Sequence, residues 1–130
     1  FNIKKVIAIE SSLSAVNDAI EFGSDLVNVE FRHGKTEEIL NGINGGINAL
    51  ILDPPRVGCH FDTLKAVLDL KPSRMVYVSC DAQSMCRDIN VLVEGGYTIN
   101  DVDILDMFPQ TYHIECIVSL YIGPQVRSLS

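Results

Sequence analysis

Short apolar runs alternate with amphipathic stretches along this chain, and that alternation predicts its fold class. Lys5–Ile9 (KVIAI) reads as a buried strand. Ser12–Phe22 follows as a helix, with Leu13, Val16, Ala19 and Ile20 at helical spacing and Ser12 in place to cap it. Val27–Phe31 reads as a second strand, and a short helix opens at Thr36 and runs to Leu40. Glycines break the pattern over Gly42–Gly46. Ala49–Leu52 is a third strand, stopped by Asp53-Pro54-Pro55, because two prolines extend neither a ladder nor a helix. Phe61–Leu70 reads as a helix, Arg74–Ser79 as a fourth strand, and Ala82–Glu94 as a helix ended by Gly95-Gly96. Tyr97–Met107 and Ile114–Ile122 are two long final strands, close enough to pair antiparallel.

Strands separated by helices imply parallel pairing through right-handed crossovers. The expectation is an α/β fold with a mostly parallel sheet and antiparallel final strands. Near-continuous apolar strands suit a sheet covered on both faces. Ligands of such sheets bind beyond the carboxyl ends of the strands. Three polar residues stand there: Glu10, Asp53 and Cys80, each ending its own strand.

Composition narrows the picture. The chain has 130 residues, 47% of them hydrophobic, which supplies one packed domain and excludes a disordered chain. No apolar run reaches the roughly 18 residues of a membrane span, and no signal-peptide pattern opens the chain. The start at Phe1, almost inside a strand, suggests a piece of a longer protein. A net charge of −7 argues against this part being a main surface that grips a nucleic acid. The four cysteines form no CxxC pair, and with the three histidines they complete no zinc spacing. Cys59, Cys86 and Cys116 read as buried small hydrophobes in a reducing, cytoplasmic setting.

Each candidate residue carries a chemical reading beside a plainer one. Glu10, at a strand end, suits acceptance of ribose hydroxyls and equally suits capping or solvation. In Asp53-Pro54-Pro55-Arg56, rigid backbone presents a carboxylate to a flat ligand, or makes a simple turn. Cys80 lies just before a helix, where the dipole and free N–H groups favour thiolate; the plainer reading is a buried thiol at a strand end. A cation from Arg56 or Arg87 would help that thiolate. Glu115 enters an apolar strand, ECIVSLYI, where a carboxylate needs a partner or a raised pKa, a setting suited to a general base. An exposed strand start is its alternative. His113 would orient Glu115 or a base ring, or merely pack.

Four stretches together resemble the RNA uridine-C5 methyltransferases that act on tRNA and ribosomal RNA: DPPRVG (Asp53–Gly58), MVYVSCD (Met75–Asp81), CRD (Cys86–Asp88) and LDMFPQTYHIE (Leu105–Glu115). The likeness covers nearly the whole chain. It implies a Rossmann-like class I methyltransferase sheet that lacks its first strand and glycine-rich loop. Residues 1–130 would then be the C-terminal portion of the catalytic domain, with S-adenosyl-L-methionine as cofactor and RNA as partner. It implies no resident metal here; some members carry an iron–sulfur cluster in an N-terminal region absent from this sequence. Cys80 would match the nucleophile that adds to carbon 6 of uracil, and Glu115 the base that removes the carbon-5 proton. Asp53 would line the cofactor and target-base pocket, Glu10 would bind the cofactor ribose, and Arg56 and His113 would contact substrate.

Departures from the pattern are visible. Asp81 stands where Asn is usual after the nucleophile, and Ser84 where Thr is usual. The segment His33-Gly34-Lys35-Thr36 lacks the usual adenine-contacting acid or amide. No G-x-G-x-x-G turn occurs, so the expectation is that this piece alone binds cofactor poorly and is inactive. Two rivals stay open: a methyltransferase of adenine N6, which DPPR alone would suit, and a non-catalytic Rossmann-like binding domain.

Overall fold

The strands form where apolar residues pair and end where polar or proline residues take over. In a computed structural model, residues 3–106 and 114–124 are described. They belong to two compact units, Phe1–Asn44 and Gly45–Ser130.

In the first unit, β1 (Val6–Glu10) pairs in parallel with β2 (Val29–His33), joined by helix α1 (Leu13–Phe22). Ser12 caps α1, its hydroxyl accepting from the Ala15 N–H, and Val16 is buried. β2 begins two residues later than its apolar run predicts, because Leu26 and Val29 close turns onto Gly23 and Leu26, leaving Val27 fully exposed. Helix α2 (Thr36–Asn41) has Lys35 at its N-cap without a side-chain bond; Glu37 and Glu38 in its first turn complement the helix dipole instead.

In the second unit, four strands lie in the order β3-β4-β6-β5, with β3 (Ala49–Leu52), β4 (Arg74–Ser79), β5 (Thr98–Leu105) and β6 (Glu115–Tyr121). β3 and β4 are parallel, with Leu52 beside Tyr77. β6 runs antiparallel to both neighbours. Helices α3 (Phe61–Leu70) and α4 (Ala82–Glu94) supply Leu64, Ala66, Val67, Met85, Ile89 and Leu92 to the core. Along β4 the buried residues alternate, Met75, Tyr77 and Ser79, and β6 answers with Val118 and Leu120. Ile51 on β3 is 72% exposed, and β5 is exposed along its whole length.

Candidate functional site

The carboxyl end of β4 gathers the chemistry of the second unit. The antiparallel register pairs Ser79 with Cys116, the last pair of β4 with β6. Cys80 follows Ser79 immediately, in a bend beyond the last paired residue, and Glu115 immediately precedes Cys116, so both stand at this end of the β4–β6 ladder. Both are half-buried. Glu115 pairs with Leu105 of β5.

Cys80 leaves the sheet in a bend and is followed at once by the α4 cap. Asp81 is the N-cap, and its Oδ1 accepts from the Ser84 N–H at 2.8 Å. That bond, more than any other cause, holds the Asp81 carboxyl below its usual range, with the Arg56 charge as a smaller contribution. Ser79 closes the turn, its Oγ accepting from the Asp81 N–H at 3.0 Å. Asp53 follows β3, exposed; the parallel register carries it beside Val78, at the same end of the sheet as Cys80.

Arg56 is exposed, and its carbonyl accepts from Ser84 Oγ at 2.7 Å. Arg87, expected near the thiol, is engaged elsewhere: its Nε and Nη2 donate to Asp88 Oδ1 at 2.9 and 2.7 Å, and Nη2 also reaches Val57 O. His113, with the rest of the Phe-Pro-Gln-Thr segment, lies outside the described residues.

Sequence reading missed Asp88, although it lies in the CRD stretch. Its side chain is fully buried and accepts from Tyr77 Oη at 2.6 Å and from the Cys59 N–H at 2.6 Å. Burial pushes the Tyr77 hydroxyl far above its usual range, with the Asp88 bond adding to it. Burial, then the Asp88 charge, raises the Cys59 thiol to about 11. Cys59 is thus half-buried beside a carboxylate, and Cys86 is exposed, so neither is the buried hydrophobe its composition suggests.

In the first unit, Glu10 ends β1 opposite His33 of β2. Glu10 Oε1 accepts from the Ser12 N–H at 2.7 Å and Ser11 Oγ at 3.3 Å. The Ser12 bond chiefly holds this carboxyl below its usual range. His33 Nε2 lies 3.1 Å from Ser11 O. An exposed carboxylate kept ionised at a strand end has the chemistry to accept hydrogen bonds from a ribose diol, so Glu10 fits the role the resemblance implies. Among the described residues, no group of three His, Cys, Asp or Glu is placed to hold a metal ion, and no helix is long and apolar enough to cross a membrane.

Comparison with known proteins gives the relatives of this chain. The family described as tRNA (uracil-5-)-methyltransferase matches residues 37–122. A Thermotoga maritima protein described as an uncharacterised RNA methyltransferase is 42% identical over 125 residues, covering 95% of this chain and 28% of that protein. A Bacillus cereus protein of the same description is 40% identical over 120 residues, covering 88% and 26%. The crystal structure of Pyrococcus abyssi tRNA (uracil-54, C5)-methyltransferase in complex with S-adenosyl-L-homocysteine superimposes with a TM-score of 0.78 at 32% identity, over 89% of this chain and 28% of that one. An rRNA methylase from Streptococcus thermophilus, 17% identical, shares the fold with a TM-score of 0.70 over 93% of this chain and 75% of its own. The chain therefore spans little more than a quarter of the length of the Thermotoga and Bacillus relatives.

Proposed function

Because the chain belongs to the tRNA (uracil-5-)-methyltransferase family, we propose that it is the part of an RNA methyltransferase that methylates carbon 5 of a uridine, in tRNA or rRNA, through a covalent bond to Cys80. What supports this reading is the β4–β6 register: Ser79 pairs with Cys116, so the residues adjoining that pair, Cys80 and Glu115, stand at one end of the same ladder. Carbon 5 of uracil is too weak a nucleophile to take a methyl group unaided, and a covalent adduct divides the difficulty into smaller steps.

The Cys80 thiolate adds to carbon 6, and the displaced π electrons make carbon 5 enolate-like. S-adenosyl-L-methionine, when bound, would supply the methyl group that carbon 5 takes, its sulfur–methyl bond breaking to leave S-adenosyl-L-homocysteine. The Glu115 carboxylate then takes the proton from carbon 5. The released electron pair restores the 5,6 double bond and expels Cys80 as thiolate. Glu10 would hold the cofactor ribose and Asp53 would line the pocket shared by cofactor and target base, with Arg56 and His113 contacting the RNA.

The test is made on the full-length protein that carries this chain, with RNA containing 5-fluorouridine. Fluorine does not leave as a proton does, so a stable adduct on Cys80 is expected by mass spectrometry. No adduct, or one on Cys86, refutes the assignment. Cys80→Ala abolishes methylation; retained activity would favour an adenine N6 enzyme. Glu115→Gln accumulates methylated covalent RNA and slows turnover by about 10²–10⁴-fold.

A further inference from the structure

Backbone polar groups removed from water need partners. In the segment Asp53–Cys59 that follows β3, one is met internally, Gly58 N–H donating to Pro55 O at 2.8 Å. Three more are met by a single helix. Ser84 Oγ donates to Arg56 O at 2.7 Å, Arg87 Nη2 donates to Val57 O at 2.9 Å, and Asp88 Oδ2 accepts from Cys59 N–H at 2.6 Å. Positions 84, 87 and 88 recur at i, i+3 and i+4, so they share one face of α4.

Asp88 is the centre of this arrangement. With both oxygens engaged by Cys59, Tyr77 and Arg87, it is wholly committed to protein groups and has no exposed surface. Gly58 packs directly against it at φ +83; a Cβ there would collide with Arg87 Nη2 and come within 2.6 Å of Asp88 Oδ2. All three helix-to-loop bonds end on backbone atoms. They define where the loop lies and are indifferent to most of its side chains.

The same helix begins at Ala82, two residues after Cys80. One rigid element thus follows the thiol and grips the loop that carries Asp53 and Arg56. Building on the uridine reading above, we propose that Ser84, Arg87 and Asp88 form a positioning clamp that sets the Asp53–Arg56 loop against Cys80, so that the target base and the sulfur meet in reacting geometry. Asp88 is a positioning residue; it touches neither base nor methyl group. The clamp also explains Ser84: Ser and Thr both supply the hydroxyl it needs.

The experiment follows adduct formation on 5-fluorouridine RNA at saturating cofactor, in the full-length protein and its Ser84→Ala, Ser84→Thr and Asp88→Asn variants. Adduct amplitude counts competent molecules, and the rate constant reports presentation of base to thiol. A misplacement of about 1 Å costs on the order of 10²-fold, so the clamp predicts a rate constant roughly 10- to 100-fold lower in Ser84→Ala and Asp88→Asn at unchanged amplitude, with cofactor KM within about twofold. Ser84→Thr rescues the rate. A network serving stability alone would lower amplitude and melting temperature while leaving the rate constant intact, and that result overturns the clamp. Where Asp88→Asn fails to fold, Ser84→Ala decides, since it leaves the buried carboxylate in place. A parent protein that forms no adduct refutes the uridine reading separately. Hydrogen exchange then judges the clamp: faster exchange of the amides of Val57, Gly58 and Cys59 in Ser84→Ala supports it, and unchanged exchange overturns it.

Discussion

At the scale of single residues, charge placement outweighs residue type. Asp81 replaces the Asn usual in the family pattern, yet it does what Asn does at an N-cap, accepting the Ser84 N–H. Three carboxylates are held below their usual range. Glu30 goes to about 2, chiefly through its bond from Arg32 and then that from Lys5; Glu10 and Asp81 are lowered by the amides of Ser12 and Ser84. A carboxyl whose folded pKa is lowered favours folding fully above its unfolded value of about 4. That contribution is lost as the pH falls through the lowered value. Stability from these groups is therefore expected to be level between pH 7 and about pH 5, and to decline below about pH 4. All three are exposed or nearly so, and salt weakens the Glu30 contribution most. Melting temperatures measured from pH 7 to pH 3 check this; a Glu30→Gln variant should show a shallower acid decline. A decline of equal depth in that variant would remove Glu30 from the account.

At the scale of elements, legibility followed the punctuation. β3, α3, β4 and α4 start and stop where the sequence predicts, because prolines, glycines and a capping Asp flank them. β2 slid by two residues because pairing with β1 sets its bounds, up to the Glu10 carbonyl, which accepts the Gly34 N–H at 3.1 Å. No local signal encodes that bond. The α4 cap gives a sharp prediction at this scale. Asp81→Asn keeps an acceptor for the Ser84 amide and should leave the melting temperature within a degree or two. Asp81→Ala removes it and should lower the melting temperature measurably, with fraying of the first turn seen as faster amide exchange at Gln83 and Ser84. Equal melting temperatures would show that water replaces the cap without loss.

Over the whole molecule, the sequence revealed what lies at strand ends and concealed what lies between elements. The strand-end positions of Cys80 and Glu115 were legible because each closes or opens an apolar run; their roles belong to the proposal. Asp88 was hidden because its meaning comes from Tyr77 and Cys59, 11 and 29 residues away, and no periodicity links them. The one available signal was a charged residue at a core position of an amphipathic helix. The chain also carries no glycine-rich nucleotide turn, and it spans 28% of its Thermotoga relative. The isolated 130-residue chain is therefore expected to bind S-adenosyl-L-methionine weakly, and calorimetry giving a micromolar Kd would contradict this.

Strand β6 lies between β4 and β5 and is laced to both. Its first residue, Glu115, is paired to β5 alone, whereas Cys80 stands on a bend just outside the ladder. In the proposed reaction the proton acceptor therefore sits within a strand and the sulfur beyond one, so the two reacting groups depend on different backbone: sheet pairing for the carboxylate, the turn into α4 for the thiol.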